Sequence, residues 1–413
     1  MSDHVSRPRG NDALWRDRAA DVVPGGSSTG SKRPDVLYGS RGGDADLPTH
    51  YERAEGCTLI TTDGRTYLDC GMALGAVAIG YADGAVTRAV QAAAGAGNVS
   101  LLPHRMEVEV AEQLVDLIPC AEAVRFLRTG AEATAAAVRI ARTVTGRSHV
   151  IACGYFGWLD WCSAGDGVPT STGNDITWVP FDDVAALDLA VAARGQDLAA
   201  ILVEPLIHEV ASVEWLRAAR TACDRMGAVL VFDEIKTAFR VRTGGVQELL
   251  GVLPDLTALG KAMANGYPLA AVVGRAGVME ACARTWISST AAAESTGLAA
   301  AQAVFAWHDR VDVSSRLVEN GQSMQSIVGG ALDAAPWAGV RVEGPPVMWR
   351  LVSDNTEQLD ALVAASARAG VLLKRGAYQF PALAHDEAAI DTLARAMPQI
   401  VRSLVPGPRR TDT

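Results

Sequence analysis

The sequence is short of several things. No apolar run approaches the roughly 20 residues that crossing a bilayer requires; runs such as 269–273 have the length of a strand. The start, MSDHVSRPRGND, is polar throughout and does not read as a secretory signal. Cysteine occurs only as seven scattered residues, 57, 70, 120, 153, 162, 223 and 282, with no CxxC pair. That pattern argues against a disulfide framework and a zinc site, and for a reducing cytoplasm. Positive charge is outnumbered, 37 Lys and Arg against 47 Asp and Glu, for a formal net charge of −10. A nucleic-acid protein needs a basic face to neutralise phosphates, so that class is disfavoured. There is no Walker A sequence. His208-Glu209 has no second His four places after the first, so HExxH fails and no metal is expected. Gly95-Ala96-Gly97 is half a dinucleotide fingerprint, but Ser100 stands where its third glycine belongs.

What is present describes a globular α/β protein. Hydrophobic residues are 49% and charged residues 20% of 413, and the length favours two domains. Runs 57–61 and 65–68 flank Asp63-Gly64, a hairpin signal. From about residue 85 helical stretches alternate with short, wholly apolar runs. The helices include 106–117, 131–144 and 213–226, the last stopped by Gly227. The apolar runs 150–153, 199–203, 228–232 and 270–273 lack polar alternation. They predict central strands buried on both faces, hence a mostly parallel sheet covered by helices. A helix near 297–307 closes this part. The remainder reads as a smaller α+β unit ending in a helix over 387–404, and residues 1–12 and 406–413 read as frayed ends. The expected divisions are 1–85, an N-terminal segment joining the small domain, 86–309, the large domain, and 310–413, the C-terminal small domain.

Open α/β sheets bind ligands beyond the carboxyl ends of their strands. After 228–232 comes Asp233-Glu234, a carboxylate that is costly at a buried strand end unless it has a partner. After 256–259 comes Gly260-Lys261 among small residues, where a desolvated lysine becomes a nucleophilic amine. After 126–128 comes Thr129-Gly130-Ala131-Glu132, a helix start whose N–H groups suit a phosphate. After 150–153 comes Gly154-Tyr155-Phe156-Gly157-Trp158, with aromatic rings that suit a flat cofactor. Each has an ordinary explanation alone: a cap, a snorkelling lysine, a glycine turn, core packing. Together they supply a phosphate seat, a stacking ring, an acid for a ring nitrogen and an amine, which is what pyridoxal phosphate needs.

These motifs resemble those of class III aminotransferases of fold type I, most closely the branch similar to glutamate-1-semialdehyde 2,1-aminomutase. The resemblance runs from about residue 23 to 404. It is carried by Pro24-Gly25-Gly26-Ser27-Ser28, Thr61-Thr62-Asp63-Gly64-Arg65, Thr129-Gly130-Ala131-Glu132, Val203-Glu204-Pro205, Val231-Phe232-Asp233-Glu234-Ile235, Leu259-Gly260-Lys261-Ala262-Met263-Ala264-Asn265-Gly266 and Ser288-Ser289-Thr290. It implies a large domain with a mostly parallel sheet of seven-stranded type and a smaller α+β domain. It also implies roles. Lys261 would hold the coenzyme as a Schiff base and Asp233 would pair with its ring nitrogen. Tyr155 and Ile235 would cover the two ring faces. Gly130 and Ala131 would bind the phosphate, and Thr290 would reach that of the neighbouring subunit in a homodimer. Phe156 and Glu204 would border the cofactor. Ser28, Lys32, Trp158, Glu209 and Gln379 are substrate candidates, with Arg240 and Arg375 as further cations. The sequence departs from the family at Phe156 (usually His), Ala131 (often Ser or Thr), Ala238 (usually Gly) and Ala291-Ala292-Ala293 (a glycine-rich gate). The implied activity is ping-pong transfer of an amino group from an amine donor to a ketone or aldehyde. A 1,2-aminomutase, a racemase or epimerase, and a catalytically silent cofactor-binding protein are the alternatives.

Overall fold

The computed structural model describes residues 12–335 and 339–404. The chain forms two compact units, one of residues 84–314 and one of 1–83 with 315–413.

The large unit is built on seven strands: β1 (Ala123–Leu127), β2 (His149–Cys153), β3 (Ile176–Trp178), β4 (Leu198–Val203), β5 (Val229–Asp233), β6 (Leu256–Leu259) and β7 (Ala270–Gly274), in the order β1-β7-β6-β5-β4-β2-β3. All pairings among β2 to β6 are parallel, whereas β7 runs antiparallel to both β6 and β1. Every residue of β2, β4, β5, β6 and β7 is buried. That burial is why these segments are almost wholly apolar, His149, Asp233 and Thr257 apart. Parallel pairing also brings the carboxyl ends of β2, β4, β5 and β6 to one edge, where Gly154, Glu204 and Lys261 come after their strands and Asp233 ends its own.

Two helices show why the boundaries are sharp. Gly130–Thr145 starts at Thr129, whose hydroxyl accepts the Glu132 N–H while the Glu132 carboxylate accepts the Thr129 N–H, and it stops at left-handed Gly146. Its Ala133, Ala136, Ala137, Ile140 and Ala141 are buried in the hydrophobic core shared with the strands. Val213–Met226 starts at Ser212, which accepts the Trp215 N–H at 3.1 Å, and ends at left-handed Gly227.

In the small unit Tyr51–Glu55, Thr58–Thr61 and Thr66–Asp69 form an antiparallel meander that Val371–Leu372 extends in parallel. The expected hairpin is present. Its partner Tyr51–Glu55 is mostly exposed and charged, so hydrophobic patterning did not reveal it. A second sheet joins Val340–Glu343, Trp349–Ser353 and Tyr378–Gln379. Of the expected frayed ends, 1–11 and the tail 406–413 lie outside the described residues. Asp12 is no loose end: its buried carboxylate accepts the Thr49 and His50 N–H groups at 2.8 and 3.1 Å. Among the described residues no helix is long and apolar enough to cross a membrane, and no cluster of His, Cys, Asp and Glu is arranged to hold a metal.

Candidate active site

Asp233 closes β5 and is 4% exposed. Its carboxylate accepts one hydrogen bond, from the Ile235 N–H at 3.0 Å, and forms no ion pair among the described residues. Burial raises its pKa to about 7, Glu204 adds like-charge repulsion, and the Ile235 N–H, Lys261 and Lys236 oppose the rise. Glu204, at the end of β4, is better satisfied: Lys236 Nζ lies 2.7 Å from Oε1, and the Tyr155 N–H donates to Oε2 at 3.2 Å. A Cβ on Gly154 (φ 139°) would meet Glu204 Cγ at 2.7 Å, so glycine lets the backbone after β2 approach this acid. Asp233's neighbour Glu234 is structural. It accepts the Val246 and Gln247 N–H groups, both at 2.9 Å, at the start of helix Val246–Leu250.

Lys261 opens a 3₁₀ turn, Lys261–Ala264, directly after β6. Its φ is 46°, a left-handed conformation that costs a non-glycine residue on the order of 1–3 kcal/mol and is held only where the surroundings over-determine it. Burial lowers its pKa to about 8; Lys236 and Arg240 add to the fall, and Asp233 and Glu204 resist it. The buried acid and the low-pKa amine therefore sense each other across one cluster.

Ile235 ties the cluster to the third element. A Cβ on Gly130 would lie 2.7 Å from Ile235 Cδ1, and one on Gly260 would lie 3.5 Å from Ile235 Cγ2. One side chain thus packs on the start of helix Gly130–Thr145 and on the residue before Lys261. The Gly130 and Ala131 N–H groups have no acceptor among the described residues and sit at the positive end of a sixteen-residue helix. Gly157 (φ 101°) leans on the same turn; a Cβ there would come within 2.4 Å of Ala131 Cβ.

These features fit pyridoxal phosphate. A buried carboxylate with one donor has acceptor capacity left for a protonated ring nitrogen. Two unpaired N–H groups at a helix start suit a phosphate, and an amine of lowered pKa suits an aldehyde.

Other expectations separate. Tyr155 is 69% exposed, open to cover a ligand. The Phe156 ring is buried against Trp161 and Trp178, at centroid distances of 6.2 and 6.0 Å, and its carbonyl accepts the Thr134 hydroxyl at 2.7 Å. A histidine's polar ring there would lie in an apolar layer. Gln379 lies in the short strand Tyr378–Gln379 of the small unit. It is fully buried, its Oε1 accepting the Lys374 N–H at 2.8 Å and its Nε2 donating to the Lys374 carbonyl at 2.7 Å, so its amide closes a turn. Arg375 is held by Asp360, and Arg240 is wholly buried. Trp158 and Glu209 are exposed in the large unit, as are Ser28 and Lys32 in the small one. His385 is structural, as expected: it accepts the Ala382 N–H at 2.9 Å, and its Nε2 lies 3.0 Å from the Asp69 carbonyl. Thr290 is exposed on a cleft of about 250 Å³ between residues 97–104 and 287–294, a cleft lined by none of the Lys261 cluster. Lys236 was missed by sequence reasoning. Its only signal was its place three residues after Asp233.

Residues 39–164 and 175–401 match the family described as Aminotransferase class-III. The chain is similar to a 3-aminobutyryl-CoA aminotransferase of Cloacimonas acidaminovorans (strain Evry), 34% identical over 294 residues, 69% of this chain and 70% of that protein. It is 38% identical over 281 residues to a glutamate-1-semialdehyde 2,1-aminomutase of Rhodopirellula baltica, covering 63% of this chain and 62% of that protein. Among solved structures it is similar to the PLP internal aldimine form of the FumI protein of Sphingopyxis sp. MTA144, with TM-score 0.90, 25% identity, and 95% of this chain and 96% of that one covered.

Proposed function

The chain belongs to the class III aminotransferase family and is a pyridoxal phosphate enzyme; from that premise we propose that Lys261 and Asp233 carry its transfer of an amino group from an amine donor to a ketone or aldehyde. When bound, the coenzyme supplies an aldehyde carbon that accepts and returns the amino group and a ring that draws electrons from the substrate carbon. Lys261 Nζ would hold the coenzyme's aldehyde carbon, and its amine, once free, would move a proton to and from the substrate carbon. Asp233 would hold the ring nitrogen in its charged form, and a cation there would in turn restore its carboxylate to the ionised form. The Gly130 and Ala131 N–H groups bind the phosphate, while Ile235 and Tyr155 cover the ring.

The observation that carries this reading is the pairing of a buried, single-donor carboxylate with an electrostatically linked amine of lowered pKa, with Ile235 donating to the acid and packing on the glycine before the amine. Lys261→Ala is expected to abolish turnover with a panel of amine donors and carbonyl acceptors. Asp233→Asn is expected to lower kcat by about 100-fold or more with unchanged circular dichroism. Full activity in either variant rejects the assignment.

The likeness to an aminomutase supports a second reading, in which both half-reactions run on one molecule. Product formed without any external amine donor would select it. The active assembly is proposed to be a homodimer in which Thr290 of each chain reaches the other's phosphate. The seven free cysteines support a reducing compartment, the cytoplasm.

A further inference from the structure

A cavity of about 210 Å³ lies wholly within the small unit. Much of its wall is apolar, formed by Leu37, Leu59, Leu74 and Leu372. Its hydroxyl and carboxylate groups are largely engaged. Tyr38 donates to the Pro48 carbonyl at 2.7 Å and Tyr81 to Asp69 at 2.6 Å, and Asp69 also accepts the Gly71 N–H at 2.7 Å.

Lys374, on the same wall, is 6% exposed. Its ammonium makes one hydrogen bond, to the Arg375 carbonyl at 3.5 Å, the outer limit for such a bond. It forms no ion pair among the described residues, and the nearby Arg375 is already taken by Asp360. Burial and Arg375 together hold its pKa down, to about 8. A buried ammonium without an anion is unfavourable, and a bound carboxylate would relieve it. Lys32, exposed, adds a second positive group to the lining. The wall is also strained: Met72, Ala73 and Leu74 hold φ of 41°, 51° and 59° in succession, and the last two line the cavity. Such runs persist where the surroundings over-determine them, often beside ligands.

We propose that this cavity binds a small amphipathic carboxylate, its head on the Lys374 ammonium and its body against the leucine wall. A phosphate fits less well, because a dianion needs more donors than one buried ammonium supplies. The carboxylate belongs either to the substrate or to a separate effector; the chemistry of the site is the same.

The test is calorimetry on the holoenzyme with 4-phenylbutyrate, 4-phenylbutanol and inorganic phosphate, using wild type, Lys374→Met and Lys374→Arg. Wild type is expected to bind one acid per chain, with the alcohol and phosphate each about tenfold weaker or more. Lys374→Met is expected to bind acid and alcohol alike, and Lys374→Arg to keep a preference for the acid. Equal binding of acid and alcohol by wild type, tighter binding of phosphate, or undiminished acid affinity in Lys374→Met overturns the proposal. Kinetics then identify the source. If the carboxylate is the substrate's, the ratio of kcat/KM for phenylalanine over phenethylamine falls about tenfold in Lys374→Met. If it is an effector's, the ratio holds while the calorimetric loss remains. The calorimetry does not depend on the transamination reading, so failure of one is distinguishable from failure of the other.

Discussion

Lys261 holds an unfavourable backbone angle and an amine that burial makes easier to deprotonate. The second property has a pH signature. Only the neutral amine attacks an aldehyde. With its pKa lowered to about 8, loading of the apoprotein with pyridoxal phosphate is expected to rise about tenfold per pH unit below that value and level off above it. Stopped-flow loading between about pH 6 and 10 checks this; a rate still climbing tenfold per unit near pH 10 would mark an ordinary lysine. The departures from the family also resolve residue by residue. Ala238 is not among the residues of positive φ, so alanine sits there without strain, and Phe239 next to it takes the left-handed angle. Ala131 removes a hydroxyl at the helix start, where Ala131→Ser is expected to tighten coenzyme binding by about fivefold, measurable by equilibrium dialysis. The placement of Asp233 and Lys261 at strand ends was legible because an acid and an amine each come at the end of an apolar run. The places of Phe156 and Gln379 were not, since a side chain's direction after a strand end depends on what packs against it.

Helix limits were readable because caps are local. Val213–Met226 stops at Gly227 as expected, while the structure adds Ser212 as its N-cap, and Ser212→Ala is expected to cost about 1 kcal/mol in urea denaturation. A glycine in the loop after β5 depends on longer contacts. A Cβ on Gly245 (φ 85°) would approach Glu234 Oε2 to 2.4 Å, where that acid caps Val246–Leu250. Gly245→Ala is therefore expected to destabilise by roughly 2 kcal/mol or more, with a lower urea midpoint at unchanged m. Strand direction is different in kind. The apolar run 270–273 reads the same in either sense, so the antiparallel setting of β7 and the order β1-β7-β6-β5-β4-β2-β3 had no local signal.

The molecule as a whole divides into a unit of residues 84–314 and a unit made from both ends of the chain. On the large unit Leu101 is 100% exposed and Leu102 75%, beside the cleft that holds Thr290. Exposed leucines in succession are unusual on a surface that meets only water. If this is where the second chain docks, the double change Leu101→Asp with Leu102→Asp is expected to shift sedimentation to a monomer and to remove activity, with circular dichroism unchanged. An active monomer would reject the shared phosphate site.

The order of residues by itself determined the alternation of helices and buried strands, the caps, and the acid, amine and helix start that a pyridoxal phosphate enzyme requires. These depend on composition and spacing within a few residues. Only the tertiary structure decided that Ile235 packs on both Gly130 and Gly260, that Lys236 pairs with Glu204, and that Lys374 lies buried with no ion pair among the described residues. The first two join residues far apart in the chain, and all three depend on burial and proximity, which exist only once the strands have been laid side by side.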